Sequence, residues 1–308
     1  MTTSADATTL NSGMVIDPLA DQIDSAPPSA WRAVLRQTAM VAGIAALIAI
    51  ALLALLAPWL TSYDPYAGDL SQRYLPPIWH SAGTWEHVFG TDGQGRDYFC
   101  RLLYGARISL IIGLSTTLIS GLIGTSLGVL AGYFGGKVDA LITFIITTRL
   151  SMPVTLVAAV VASLMGSSLH TVIAVLGLLL WDRFAVVSRS AVQELRSLEY
   201  VTAARALGCS NLRVIFTQIL PNISQFLLVV LTIEMAHAIL LESALSFLGL
   251  GVQPPLPSWG LMIAEGKSQM LFKPWLITIP GVCLFVLIMA ISLVGDGLRD
   301  MSARKSTR

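Results

Sequence analysis

Ionisable side chains inside apolar stretches are the first candidates for chemistry in this chain of 308 residues. Glu234 and His237 are three residues apart, so on a helix they share one face and could hydrogen-bond to each other or line a wet cavity. Arg149 and Glu242 also lie in or beside apolar runs, where a charge is costly and is a functional candidate by default. For these two we favour a plainer interpretation, in which Glu242 reaches the outer interface and Arg149 the inner one. For Glu234, the structural and functional interpretations both stay open.

Two polar segments resemble binding sites at first sight. Asp92, Arg96 and Asp97 could form an acid–base or metal site, but no His or third ligand accompanies them in the sequence, and we expect structural ion pairing. The segment 260–268 ends in Gly-Lys-Ser, whereas a phosphate-binding loop has four residues between its glycines. Five residues separate Gly260 from Gly266, and no strand is expected before them. We therefore predict that the chain has no ATP site of its own.

The remaining reactive residues indicate neither an enzyme nor a metalloprotein. Cys100, Cys209 and Cys283 are far apart and show no CxxC spacing. His170 and His237 are the histidines expected inside apolar helices, and neither has a Gly-x-Ser-x-Gly partner. The net charge of +1 gives no reason to expect nucleic-acid binding. We expect this chain to bind no cofactor, metal ion or nucleic acid.

The elements that carry these residues are predicted to be membrane helices. The chain is 55% hydrophobic and 12% charged, with a mean hydropathy of +0.73, which indicates an integral membrane protein. A helix of about 20 residues crosses the hydrocarbon core of a bilayer. We predict an all-α protein with a kink near Pro153 in its third span and a tight turn at 166–168. The six predicted spans cover about 38–60, 108–133, 140–164, 170–189, 222–241 and 275–294.

The distribution of Lys and Arg predicts the orientation of these spans. Of 19 such residues, six fall outside and the other 13 lie on the N-terminal side of the membrane, which predicts that both termini are cytoplasmic. Residues 1–30 are expected to be a disordered cytoplasmic tail, 31–298 the transmembrane domain and 299–308 a second cytoplasmic tail. The six external residues are Arg73, Arg96, Arg101, Arg107, Lys267 and Lys273.

The segment 190–221 is predicted to be a structured loop between the fourth and fifth spans. The run Thr-Ala-Ala-Arg-Ala-Leu favours a helix, and Gly208 can end it because glycine accepts a left-handed conformation. The small side chains of Ala203 and Ala204 leave a face that another protein could approach. Pro221 suits the first turn of the following helix, where no backbone donor is needed.

At these positions the sequence resembles the cytoplasmic loop of permease subunits in ATP-binding-cassette importers. The pattern of that loop is Glu-Ala-Ala, three residues, Gly, and then a downstream Leu-Pro. Ala203, Ala204, Gly208, Leu220 and Pro221 are in register with it, and Thr202 stands where the pattern commonly has Glu.

Further segments are similar to the oligopeptide, dipeptide and nickel importers within that family. The similarity covers roughly residues 35–300. After Asp300, the usual Leu-Asp-Pro is replaced by Met-Ser-Ala-Arg-Lys. The similar segments are 89–97, 101–109, 246–255, 259–260 and 295–300.

The resemblance implies a permease with the type I importer fold in a bacterial plasma (inner) membrane. It implies a non-catalytic subunit that works with a second homologous permease, an extracytoplasmic substrate-binding protein and cytoplasmic subunits that hold ATP and magnesium. Glu234 and His237 are candidates to line the translocation path. The loop residues expected to dock on the ATP-binding subunits are Thr202, Ala203, Ala204, Arg205, Ala206, Leu207, Gly208, Leu220 and Pro221.

The substrate implied by the resemblance is a di- or oligopeptide, with nickel chelates and glutathione as alternatives within the same family. A secondary transporter is a different class, and it typically shows inverted repeats, of which this sequence gives no convincing sign. An intramembrane hydrolase would need a nucleophile and a base within the helix bundle.

Overall fold

The computed structural model describes residues 30–306, and side chains from 38 to 302. The predicted tail 1–30 therefore lies outside the described residues, except for Ala30. The described residues form eleven α-helices, and contacts are given below for the unit 39–308. The helices are α1 Ala30–Leu60, α2 Tyr98–Phe134, α3 Gly136–Leu150, α4 Val154–Met165, α5 Leu169–Leu179, α6 Asp182–Leu195, α7 Glu199–Ala206, α8 Asn211–Val214, α9 Leu220–Phe247, α10 Trp259–Gly266 and α11 Trp275–Ser306.

Three shorter helical pieces complete the described chain. Leu70–Gln72 and Lys267–Gln269 are 3-10 turns, and Ile215–Ile219 is a π-helical segment that joins α8 directly to α9. The described residues hold no β-strand, only an isolated bridge between Thr91 and Asp97. The prediction of an all-α fold is confirmed.

Five helical segments are long and apolar enough to cross a membrane, and the bent pair α3 and α4 makes a sixth if it counts as one span. Several of them extend beyond the predicted spans. The helix α11 continues to Ser306, so the segment predicted as a C-terminal tail begins as helix. The five segments are Thr38–Leu60, Tyr98–Phe134, Leu169–Leu195, Asn211–Phe247 and Trp275–Ser302.

The third span is broken rather than kinked. The axes of α3 and α4 differ by 83° across residues 151–153. Pro153 lacks a backbone N–H and disfavours helical geometry at the residue before it, so the chain leaves the helix there and starts again at Val154. Gly166, with φ of +82°, then ends α4, and Ser168 caps α5 by accepting a hydrogen bond from the Thr171 N–H.

The second span begins about ten residues earlier than predicted, at Tyr98. Asp97 caps it, because its side chain accepts a hydrogen bond from the Cys100 N–H at 2.6 Å. The prediction began the span at Ile108, where the uncharged stretch starts after Arg107, and so left out the turns that contain Arg101. In the structure Arg101 is fully buried and paired with carboxylates, so its charge does not prevent helix formation.

The helix α2 packs most extensively against α6, and glycine makes that contact possible. Gly124, Gly128 and Gly132 are spaced four residues apart and form one face of α2. A Cβ on Gly128 would collide with Ser188 Oγ and the Ala185 carbonyl, and one on Gly132 would lie 2.7 Å from the Arg189 carbonyl oxygen. Backbones that approach this closely are typical of small-residue contacts between membrane helices.

Candidate functional site

The short helix α7 ends in a defined cap. Leu207 closes the helix, and Gly208 follows with φ of +83°, a conformation that side chains with a Cβ rarely adopt. The Gly208 N–H donates to the Arg205 carbonyl (2.9 Å), and the Cys209 N–H donates to the Ala204 carbonyl (3.1 Å). These two bonds form a Schellman motif, which fixes the direction in which the chain leaves the helix.

Side chains anchor α7 to two long helices. The Tyr133 hydroxyl at the C-terminal end of α2 donates to Asn211 Oδ1 at 2.9 Å, and the Arg205 guanidinium lies 4.7 Å from the centre of the Tyr133 ring. Asn222 in the first turn of α9 donates to the Tyr200 hydroxyl at 3.3 Å. A displacement of α7 would therefore move the ends of α2 and α9 with it.

One face of α7 is open and the other is buried. Val201 is fully buried, whereas Leu207 is 86% exposed despite its apolar side chain. Ala204 is half-buried against the core, so Ala203 contributes more than Ala204 to the open face. Leu220 is half-buried and Pro221 is exposed in the first turn of α9. The exposed members of the predicted loop set within 202–208 are Thr202, Ala203, Arg205, Ala206, Leu207 and Gly208.

A second polar group lies halfway along α9. The Glu234 side chain is 1% exposed, its Oε1 is 3.1 Å from Arg183 Nη1 and its Oε2 is 3.4 Å from His237 Nδ1. Sequence reasoning brought Glu234 and His237 together but counted Arg183 among the cytoplasmic charges. Arg183 lies near the middle of the apolar segment Leu169–Leu195, fourteen residues after its start and twelve before its end. A charge at such a position needs a partner of opposite charge, and this signal could have pointed to the pair with Glu234.

The expected position of Glu242 at the outer interface is wrong. Glu242 is 1% exposed, and its Oε1 accepts hydrogen bonds from Ser246 (2.7 Å) and Ser258 (2.9 Å). Ser258 also caps α10, so the carboxyl group links α9 to the start of α10. The serine donors satisfy the carboxyl oxygen inside the protein, and it has no need to reach water. Arg149 donates to the Leu179 carbonyl, which connects α3 to α5.

Ion pairing in the segment before α2 is confirmed. The Asp92 carboxylate accepts from Arg96 Nε at 2.7 Å and from Arg101 Nη1. Arg101 Nη1 also contacts Glu265 Oε2 at 2.6 Å, which joins the segment and α2 to α10. The expectation that no His stands nearby is wrong, because His87 Nδ1 lies 2.8 Å from Asp97 Oδ2.

Burial would raise the pKa of the Asp92 carboxyl, but its partners outweigh that effect. The positive charges of Arg101 and Arg96, with hydrogen bonds from the backbone N–H groups of Arg96 and Gln94, hold the pKa below its usual value. A depressed pKa in the folded protein means that ionised Asp92 stabilises the fold above about pH 4, the range in which the unfolded carboxyl is charged. That contribution is lost as the pH falls through the lower, folded pKa.

Replacing Arg101 with Met is expected to lower the free energy of unfolding by about 3–5 kcal/mol. The Asp92 and Glu265 carboxylates would lose the cation between them and would then repel each other in a largely buried site. Thermal unfolding of the detergent-solubilised protein measures the effect. Arg107→Met, at an exposed position of the same helix, is the control and should change the free energy by less than about 0.5 kcal/mol.

The difference in unfolding free energy between wild type and Arg101→Met should become smaller below about pH 4, since protonated carboxyls no longer repel each other. Equal stability of the Arg101→Met and Arg107→Met proteins at neutral pH would contradict a stabilising role for this cluster.

Comparison with known proteins places the chain in a family. Residues 124–308 match the family described as binding-protein-dependent transport system inner membrane component. Residues 29–77 match the N-terminal TM domain of oligopeptide transport permease C. Together the two matches contain α1 and the open face of α7.

Relatives of similar length match most of the chain. The dipeptide transport system permease protein DppC of Haemophilus influenzae is 36% identical over 84% of this chain and 88% of its own. The protein of the same name from Bacillus subtilis is 37% identical over 88% and 83%. The glutathione transport system permease protein GsiD of Pectobacterium atrosepticum is 36% identical over 88% of each chain.

The fold also has a counterpart among solved structures. An inward-facing structure of the MetNI methionine ABC transporter contains a chain that matches with a TM-score of 0.54 at 18% identity, covering 64% of this chain and 93% of that one. The predicted importer-permease fold is confirmed by this likeness. With the family match and relatives of 36–37% identity, it supports one conclusion: the chain belongs to the family of inner-membrane permease components of binding-protein-dependent ABC transport systems.

Proposed function

We propose that this permease forms half of the path by which an ATP-driven importer carries di- or oligopeptides across the bacterial inner membrane. The open face of α7 supports the proposal most strongly. An exposed Leu207 beside exposed Ala203 and Ala206, on a helix anchored to α2 and α9, suits a docking site for a second protein. A permease of this family needs such a site, because the motion that drives transport comes from outside the chain.

The partners follow from the same proposal. Cytoplasmic subunits that bind ATP and magnesium dock on α7, and this chain itself hydrolyses no ATP. A second homologous permease completes the path, and an extracytoplasmic protein delivers the substrate. Both chain termini face the cytoplasm, which the predominance of Lys and Arg on that side supports.

The substrate path runs along the face that carries Glu234 and His237. Both residues belong to α9, and His237 lines a cavity between α6, α9 and α11. Polar groups halfway along an apolar helix are costly, and such groups typically mark a transport path.

A peptide is favoured over other cargo of the family because the relatives of 36–37% identity include two dipeptide permeases. Glutathione is the second candidate, since the glutathione permease relative is equally similar at 36% identity. Glutathione is itself a small peptide with free carboxylates, so the two substrates share their chemistry.

Uptake by cells that lack this chain tests the proposal. We expect loss of labelled dipeptide uptake, recovery on expression of the full chain, and no change in nickel uptake. Selective loss of glutathione uptake would identify the second candidate instead. Peptide uptake that persists in the deleted cells, or that continues after ATP is depleted while the ion gradient is kept, would contradict the proposal and favour another class of transporter.

A further inference from the structure

A cavity with a mostly apolar wall and several charged side chains opens between α6, α9 and α11. Its volume is about 300 Å³. The polar and charged side chains of that wall come from all three helices. They are Arg183, His237, Ser292, Asp296 and Arg299.

The ion pair between Arg183 and Glu234 is strongly asymmetric. The Glu234 side chain is 1% exposed, whereas the Arg183 side chain is 53% exposed. A cation that served only to neutralise Glu234 would be expected to be buried with it. Arg183 also lines the cavity, and Glu234 Oε1 accepts no hydrogen bond from the described residues, so the N–H donors of the guanidinium stay available towards the cavity.

The pair lies at a depth where charges are rare. Glu234 is fourteen residues from Leu220 and thirteen from Phe247, so it stands about 20 Å from either end of α9. At such a depth an ionisable side chain is a functional candidate, and its partner must be close by. Arg183 is that partner, and it comes from a different helix, α6.

The guanidinium donors of the cavity wall suit an anionic group. Two arginines, Arg183 and Arg299, face one carboxylate, Asp296, among the lining residues. Glu234 balances Arg183 from behind, so the attraction depends on direct hydrogen bonds rather than on a long-range field. A guanidinium that is paired with a buried carboxylate by charge keeps a planar fork of N–H donors that matches a second carboxylate.

We propose that Arg183 binds a carboxylate of the substrate inside the membrane, and that Glu234 is the positioning residue that holds the guanidinium for it. The proposal rests on the function proposed above, since every peptide with a free C-terminus carries this group. It adds the point of contact on this chain and the chemical feature of the peptide that is recognised.

Equilibrium dialysis of the purified importer in detergent, without the extracytoplasmic binding protein, tests the contact directly. The probes are a labelled dipeptide and the same dipeptide with a C-terminal amide. We expect the wild-type complex to bind the free acid about tenfold more tightly than the amide, because a charge-assisted hydrogen bond is lost with the carboxylate.

Arg183→Gln is expected to lower affinity for the free acid about tenfold and to leave affinity for the amide within about twofold. Arg183→Lys should give an intermediate affinity for the acid, because it keeps the charge and loses the fork. Glu234→Gln keeps the guanidinium but removes the carboxylate that positions it, so it should prefer the acid less strongly than wild type and more strongly than Arg183→Gln. Arg107→Gln, in α2, is the matched control and should behave as wild type.

Three results would overturn the contact: no peptide binding to the wild-type complex, equal binding of acid and amide, or an equal loss of both in Arg183→Gln. Transport by the same wild-type preparation in liposomes separates this from the proposed function. If peptide is transported but the affinity for peptide does not depend on Arg183, only the proposed contact is wrong. If no peptide is transported, the proposed substrate class is wrong.

Discussion

Replacing Leu207 with Asp is expected to detach the ATP-hydrolysing subunits from the purified complex and to abolish peptide uptake. Leu207 is 86% exposed at the end of α7, and a large apolar side chain in that position is suited to a pocket on a partner. Burying a carboxylate there instead should cost at least about 2 kcal/mol, or roughly a thirtyfold loss of affinity. Co-purification from cells that express all subunits measures the loss.

Leu271→Asp is the matched control for this variant. Leu271 is 85% exposed, and it lies between α10 and α11, in the segment predicted to face outside. The same substitution there should leave the ATP-hydrolysing subunits bound. If both variants keep those subunits, or both lose them, α7 is not the docking helix.

Replacing Gly128 with Val is expected to prevent α2 and α6 from packing, with a loss of about 3 kcal/mol or more in stability. A Cβ at this position would lie 3.0 Å from the Arg189 backbone nitrogen and still closer to Ser188 Oγ and the Ala185 carbonyl. Backbone atoms cannot relieve the overlap by a rotamer change as a flexible side chain can, so one helix must shift. Size-exclusion chromatography and thermal unfolding in detergent should show aggregated or early-melting protein.

Gly281→Val tests whether the effect depends on packing or on glycine alone. Gly281 lies in α11, and among the described residues no atom outside the adjacent backbone of that helix lies within 4 Å of the position that a Cβ would take. This variant should fold with nearly the stability of the wild type. Equal behaviour of Gly128→Val and Gly281→Val would contradict the close approach of α2 and α6.

Hydropathy predicted most of the long helices because a membrane span requires a continuous run of apolar residues. The same method placed the start of α2 too late and missed the position of Arg183. In both regions an arginine finds a carboxylate on another element, Glu265 for Arg101 and Glu234 for Arg183. The cost of the charge is then reduced by a contact that no local pattern can show.

Local backbone chemistry was more informative in the candidate docking segment. Gly208 has the positive φ expected of a glycine that ends a helix, and Pro221 lies in the first turn of α9, as predicted. The anchoring of α7 could not be foreseen, since Tyr133 on α2 lies far before Arg205 in the sequence, yet its ring is in contact with the Arg205 guanidinium. The same limit applies to the bond between Glu242 and Ser258, which depends on how α10 folds back against α9.

Cross-linking from Leu207→Cys tests the central claim most directly. The cysteine is introduced into a chain whose Cys209 and Cys283 are replaced by serine, and Cys100 is buried. We predict that a short bis-maleimide joins it to the ATP-hydrolysing subunit in native membranes and that the yield changes when nucleotide is added. Labelling of the same cysteine by a membrane-impermeant maleimide added outside intact spheroplasts, with no cross-link to that subunit, would contradict the account.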